Sequence, residues 1–433
     1  MNQPGTAWGR LPGAPQRLVA LTDRFQALPD EPSLLTFGNG RSYGDVGRND
    51  GGTLLIGRGL DRFIGFDPAT GRLECEAGVL LSEIIDLVLP SGWFPPVTPG
   101  TRFVTVGGAI ANDVHGKNHH RAGSFGNHIL EFELLRSDGQ ILRCSRDQNP
   151  DWFAATVGGL GLTGLIRRAT LQLKRVPGPW IRGDSQRFAN LKAFFAITAA
   201  SDGDYEYTVA WLDCSATGAN LGRGIFIRGN HAPATEAPPS GRVLRMPITP
   251  PISLVNSLSL RAFNTLYYHR PAAQVNQALW HYRPFFYPLD GILEWNRMYG
   301  PSGFYQYQCV LPTEGAIDIL SEMLGRIGRS GLGSFLLVLK TFGAVPSLGM
   351  LSFPRPGATL ALDFPNRGAE TLALLNTLDD LTRAAGGAVY PAKDARMSAA
   401  SFQSYFPAWR GFSRYVDPKF SSSFWRRVTG DVA

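Results

Sequence analysis

Thr98 to Ile129 reads TPGTRFVTVGGAIANDVHGKNHHRAGSFGNHI, and the interpretation of this stretch decides the fold. It holds four of the chain's seven histidines, so its polar content is concentrated rather than scattered. Gly107-Gly108-Ala109 puts almost no side chain between main chain and a neighbour, and glycine tolerates positive φ. His115, Lys117, Asn118, His119 and His120 then offer donors and acceptors in one short run. The duller reading is a Gly-rich surface loop with solvated histidines. A loop of this length is uncommon inside a compact chain unless it binds something. The stretch is therefore expected to lie against a large, flat, polar ligand.

Working outward, two more glycine-rich turns flank it. Gly38 to Asp45 (GNGRSYGD) follows an apolar strand, Ser33 to Phe37, and its successive N–H groups suit an anion-binding nest. Gly158 to Gly164 precedes a strand that alternates from Leu165 to Arg175. Between these turns the sequence predicts strands at 52–56, 63–67 and 73–77. It also predicts a helix over 80–89 closed by Pro90, a hairpin around Ser137-Asp138-Gly139, and a short helix over 151–156. At Pro177-Gly178-Pro179 the texture changes to aromatic strands (205–212, 224–228, 303–310, 334–342, 359–364) with helices over 314–329, capped by Thr313, and 369–385. Strands in runs with helices between them predict an antiparallel sheet covered on one face, hence an α+β protein. The domains are expected at 1–178, 179–387 and 388–433, the last returning to the first. The proline-rich segment 231–251 reads as mobile. Val255, Leu258, Ala262 and Leu266 after it share one face, which suits a lid, a membrane-surface helix or plain core.

With 433 residues, 44% hydrophobic and 18% charged, the chain is globular and long enough for two domains. No apolar run is long enough to span a bilayer, and the N-terminus lacks a signal-peptide core. Cys75, Cys144, Cys214 and Cys309 are scattered and read as reduced core thiols, which fits a cytoplasmic protein. The net charge of +7 is spread along the chain. That spread argues against nucleic acid, which calls for a basic stripe, and favours a small phosphorylated ligand or an anionic membrane surface.

Three motif matches fail on context. Gly159-Leu160-Gly161-Leu162-Thr163-Gly164 fits G-x-G-x-x-G but runs into a strand, not a helix. Gly40-Arg41-Ser42-Tyr43-Gly44 fits the hydrolase elbow G-x-S-x-G, yet no helix-forming residues follow. The histidines lack partner ligands at fixed spacing, so no metal is expected. Three glycine loops in one domain, each beside a strand, instead suggest an extended dinucleotide held by main-chain amides, and FAD is the cofactor of that size that needs no Rossmann helix.

GNGRSYGD, PGTRFVTVGGAIANDVHGKNHHRAGSFGNHI and ATVGGLGLTGLI together resemble the FAD-binding domain of the vanillyl-alcohol-oxidase (PCMH-type) flavoprotein superfamily. Pro288-Leu289-Asp290, Glu294 to Arg297, Tyr299-Gly300-Pro301, Gln306 to Gln308, Leu351 to Pro354 and Ala392 to Arg396 extend the resemblance to the decaprenylphosphoryl-β-D-ribose 2-oxidase family within it. The resemblance implies FAD-dependent oxidation of the ribose 2′-hydroxyl of a polyprenyl-phosphoryl sugar to the 2′-keto sugar. A separate NAD(P)H-dependent reductase then completes an epimerisation to the arabinose form. The enzyme would be cytoplasmic, with or without peripheral contact at the inner membrane face.

Residue roles follow from the resemblance. Asn39, Gly40, Arg41 and Ser42 would cradle the pyrophosphate, and Thr101, Gly107, Gly108, Ala109, His115, Gly116, Asn118, Gly161, Gly164, Ile166, Tyr390 and Lys393 would complete the cofactor site. Arg41 stands where relatives carry a flavin-tethering histidine, so the FAD is expected to be non-covalent. Lys393 is the first catalytic candidate, as a charge stabiliser or a depressed-pKa base, with His115 and Tyr43 beside it. Lys117, Gln308, Lys340, Asn296, Tyr267 and Ala361 are expected to contact substrate, the lysines pairing with phosphate. Ala361 replaces a cysteine found in some members, and Tyr267 replaces a tryptophan. Two other readings stay open at this stage: a related FAD enzyme of a soluble polyol, aldonolactone or other sugar, and a non-flavin anion-binding protein or hydrolase.

Overall fold

The structure is a computed structural model that describes residues 4–233, 243–271 and 273–430. Residues 234–242, within the proline-rich segment 231–251 expected to be mobile, lie outside the described residues. Three sheets organise the rest. A parallel three-stranded sheet, order β1-β3-β2, is formed by β1 (Arg17–Ala20), β2 (Leu34–Phe37) and β3 (Thr53–Ile56). An antiparallel five-stranded sheet, order β4-β5-β8-β6-β7, joins β4 (Phe63–Asp67), β5 (Arg72–Glu76), β6 (Ile129–Leu135), β7 (Ile141–Ser145) and β8 (Leu165–Gln172). The 80–89 helix is α1 (Leu81–Val88), and the 32-residue central stretch is not all loop, because Val106–Ala111 forms α2. Two glycines weaken a helix there, but Thr105 Oγ1 accepts from Gly108 N and Gly107 N donates to Ala77 O at 2.7 Å. Tertiary contact overrides propensity at this point.

The third sheet is eight-stranded and antiparallel throughout. Its strands are β9 (Trp180–Phe188), β10 (Tyr207–Leu212), β11 (Gly224–Ala232), β12 (Val275–His281), β13 (Phe304–Leu311), β14 (Leu337–Phe342), β15 (Gly357–Pro365) and β16 (Ala388–Val389), in the order β12-β9-β11-β10-β14-β15-β13-β16. Side chains alternate across a strand, so each face has its own set. Phe226, Leu339, Leu360, Leu362 and Cys309 point to one face. There they pack against α3 (Leu191–Ser201), α5 (Ala316–Ser330) and α6 (Ala369–Ala384), which bring Phe194, Leu320, Met323 and Leu378. The fold is α+β, as the sequence implies. The start of α5 departs from expectation: Thr313 is not its cap, because Gly315 takes that position with φ +72°.

The C-terminal segment reaches both parts of the molecule. Val389 of β16 pairs with Cys309, whereas Leu34 N donates to Lys419 O at 2.6 Å. Arg427, in α7 (Ser423–Thr429), bridges Asp45 (2.7 Å) and Asp394 (3.0 Å). The four cysteines are buried and unpaired. Helix α4 (Ser257–His269) differs from the face predicted for it. Val255 lies outside the helix and is buried, while Leu258 and Leu266 are 78% and 74% exposed.

Candidate functional site

The three glycine turns converge on one cavity of about 880 Å³, near the upper end of the range for cofactor pockets. After β2 the chain turns at Gly40 (φ +61°), and two glycines there are fixed by close approach. A Cβ on Gly38 would sit 2.5 Å from Thr105 Oγ1, and one on Gly44 would sit 1.6 Å from the Asp394 carbonyl oxygen. Only glycine lets this loop meet α2 on one side and the C-terminal segment on the other. Asn39 Nδ2 donates to Phe103 O (2.7 Å), while the Arg41 guanidinium lies over the rings of Trp8 and Phe103. Arg41 Nε is buried with no partner, a donor left for a ligand. The third turn closes on α2 through Gly158 N to Ile110 O and Leu160 N to Ala111 O, with Gly161 and Gly164 at positive φ.

The opposite wall is the second face of the eight-stranded sheet. Gln306, Gln308, Lys340, Thr359, Ala361 and Asp363 all line the cavity from β13, β14 and β15. Register explains their clustering: Gln308 is paired with Ala361, Gln306 with Asp363, and Lys340 with Thr359. Lys393 enters from the C-terminal segment, where Tyr43 N donates to Ala392 O and the Lys393 ammonium lies 3.9 Å from the Tyr43 ring centroid.

Charge in this cavity is largely positive and poorly solvated. Burial depresses Lys117, Lys340 and Lys393 each to a pKa of about 7, with Asp363 partly opposing the shift at Lys393. Burial likewise raises Asp363 to about 7, against a Gln306 amide that donates to it at 2.8 Å. Tyr43 is pushed upward by burial. His115 is held well below its usual value, by burial first and then by Lys340. Gln308 Nε2 donates to His115 Nε2 (2.9 Å), which puts the proton of the neutral ring on Nδ1, facing the Lys340 amine at 3.0 Å. The Lys117 ammonium donates to the Phe285 carbonyl. Two neutral-leaning lysines and a neutral imidazole thus wait for an anion at one end of the cavity.

Most of the residues expected from sequence line this cavity: Asn39 to Tyr43, Thr101, Gly107, Gly108, His115, Gly116, Lys117, Gly161, Gly164, Ile166, Tyr267, Gln308, Lys340, Ala361, Tyr390 and Lys393. Three do not. Ala109 is turned into the core behind α2. Asn118 faces away from the cavity and donates to Pro96 O and Glu206 Oε1. Asn296 is buried and donates to Trp8 O, bracing the N-terminal segment. His119 and His120 are also off the wall: His119 packs on Phe342 and His120 contacts Tyr205 O. No group of three metal-binding side chains occurs among the described residues. The sequence assigns no role to Trp8, Asp363 or Asp290. Asp290 lies in the Pro288-Leu289-Asp290 motif, and Asp363 stands as a lone acid inside the apolar run Thr359 to Phe364.

The residues present fit FAD. Small-residue turns with positive φ, a buried Arg41 Nε with no hydrogen-bond partner and a cavity of about 880 Å³ match an extended anionic dinucleotide. Comparison with known proteins agrees. Residues 28–145 match a family described as an FAD binding domain. The chain is 38% identical to the decaprenylphosphoryl-β-D-ribose oxidase of Mycolicibacterium smegmatis, over 91% of this chain and 89% of that one. It is 35% identical to an uncharacterised protein of Streptomyces coelicolor, over 81% of this chain and all of that one. A rice cytokinin dehydrogenase is 26% identical over 46% of this chain and 38% of its own length.

Proposed function

We infer the function from the premise that this chain belongs to the decaprenylphosphoryl-β-D-ribose oxidase family of FAD-binding flavoproteins: it oxidises the ribose 2′-hydroxyl of a polyprenyl-phosphoryl-β-D-ribose to the 2′-keto sugar, the first half of a two-step epimerisation to the arabinose form. The observation that carries the reading is the convergence of three glycine turns and three buried lysines on a single cavity. FAD, when bound, supplies the two-electron acceptor. The cofactor would be held by Asn39 to Ser42, Thr101, Gly107, Gly108 and the Gly161–Gly164 turn. The FAD is non-covalent on this reading: His115 is the one histidine in the described wall, and both of its ring nitrogens are engaged.

The chain's own work is binding, orientation and proton removal. Lys117 and Lys340 pair with the substrate phosphodiester. Gln308 and His115 orient the sugar. Lys393, whose amine is largely neutral above pH 7, accepts the hydroxyl proton, and Asp363 opposite it holds the resulting ammonium. Residues 1–178 form the FAD-binding domain, 179–387 the substrate-binding domain, and 388–433 the segment that carries Lys393 back to the cofactor.

No helix among the described residues is long and apolar enough to cross a membrane. Leu258 and Leu266 on α4, with Ile252 (73% exposed) before it and Arg261 beside them, support peripheral contact with an anionic inner membrane face. An NAD(P)H-dependent reductase would consume the keto product. The test is anaerobic mixing of the purified yellow protein with polyprenyl-phosphoryl-ribose. Bleaching of the flavin band supports the reading. Bleaching only by a soluble polyol or aldonolactone overturns it.

A further inference from the structure

The cavity-facing side of the eight-stranded sheet changes character across its width. Over β13, β15 and the far end of β14 it is polar, with Gln306, Gln308, Thr359, Asp363 and Lys340. One strand further it turns apolar across β10 and β11, with Ser185 of β9 and Asn276 of β12 as polar interruptions beyond them. Val338 sits opposite Trp211, Trp211 opposite Ile225, and Val209 opposite Ile227, and all five belong to the same cavity wall as Lys340. Tyr267 of α4 roofs this half, its ring 4.7 Å from that of Trp211. The wall continues to Trp280 on the edge strand β12 and to Arg270 at the end of α4. A flavin and a sugar phosphate need the polar half and leave the apolar half without a partner. Water standing on that much apolar wall is unfavourable.

We propose that this apolar half is the groove for the isoprenoid chain of the substrate, running from Lys340 over Trp211 and Ile227 to an exit between Trp280 and Arg270. The proposal rests on the polyprenyl-phosphoryl-ribose reading and deepens it. Two features choose a lipid tail over a separate apolar ligand. The groove is continuous with the lysines, so a ligand lying in it carries its charge at the sugar end. The exit lies beside α4, whose outer face bears Leu258 and Leu266, so a tail leaving there passes directly into a bilayer.

The test compares farnesyl-phosphoryl-β-D-ribose with methyl-phosphoryl-β-D-ribose on the FAD-loaded enzyme, together with Ile227→Asp and Tyr267→Ala variants. Each buried methylene contributes about fourfold in affinity, so a few seated methylenes give a KM for the methyl ester on the order of a hundredfold higher. The kcat should differ little, because the sugar end is unchanged. Ile227→Asp should raise KM for the farnesyl ester at least tenfold and leave the methyl ester within twofold. Tyr267→Ala, a change on a surface helix that tests the roof without loading the sheet, should do the same more weakly. Equal KM for the two esters in the wild-type enzyme would overturn the groove, whatever the variants do. So would variants that slow reoxidation by a quinone while leaving both esters unaffected, since the groove would then serve the electron acceptor. If neither ester bleaches the flavin, the substrate reading itself fails and the groove falls with it.

Discussion

Binding of the phosphorylated substrate should draw protons out of solution at pH 8 and not at pH 6. Lys117 and Lys340 are held near pKa 7 by burial alone or by burial and neighbouring cations. At pH 8 only about a tenth of each is charged, and charging one costs roughly 1.4 kcal/mol. A hydrogen bond from the resulting ammonium to a phosphate oxygen returns about 1.5–3 kcal/mol, more in a low-dielectric cavity. Charging wins, and each engaged lysine should take up between about half a proton and nearly one. Mutual repulsion of the two ammonium groups keeps the total between about one and two. At pH 6 both are already charged, so uptake should vanish. The sign follows from the direction of the shift: pKa values depressed in the free protein and restored by ligand give uptake only between the two. The assay is titration calorimetry of the FAD-loaded protein with a 2-deoxyribose phosphodiester, which cannot be oxidised at carbon 2, in buffers of different ionisation enthalpy. Lys340→Met should remove between about half a proton and one from the uptake. No uptake at pH 8, or the same uptake in Lys340→Met, would refute the assignment of these lysines to phosphate.

Three further outcomes are expected. Lys393→Met should slow flavin reduction by a factor on the order of a hundred or more, with folding and FAD content unchanged, as read by rapid mixing and the flavin spectrum. In the wild type the reduction rate should rise as pH passes through about 7, and Asp363→Asn should move that limb to lower pH, because Asp363 raises the Lys393 pKa. Gly44→Ala places a methyl group against the Asp394 backbone, so it should cost about 3 kcal/mol in urea unfolding and release FAD; an unchanged midpoint would contradict the close approach described. Arg427→Met leaves Asp394 and Asp45 without their cation and should lower stability by roughly 2–4 kcal/mol in the same assay, the partial exposure of the pair keeping it below the fully buried limit.

The strands were the most legible part of the chain. Phe63–Asp67 is bounded as its sequence predicts, because alternation and flanking turn residues act locally. Helix α2 was hidden, since Gly107 and Gly108 argue against a helix until Ala77 is brought beside them. The site residues divide along the same line. Glycine turns and His115-Gly116-Lys117 announce themselves by density in sequence. Asn118 and His119 share that density yet face away, and no local pattern distinguishes them from their neighbours. Asp363 and Trp8 are isolated in sequence and become part of the cavity wall only through strand register and the path of the N-terminal segment.

The claim on which the rest depends is that the reacting bond is the C–H at ribose carbon 2. Anaerobic stopped-flow with farnesyl-phosphoryl-β-D-ribose carrying deuterium at that carbon tests it directly. The account predicts slower flavin bleaching with the deuterated substrate and a 2′-keto sugar as product. Equal rates with deuterium at carbon 2, together with slowing when the label is moved to carbon 3, would contradict it.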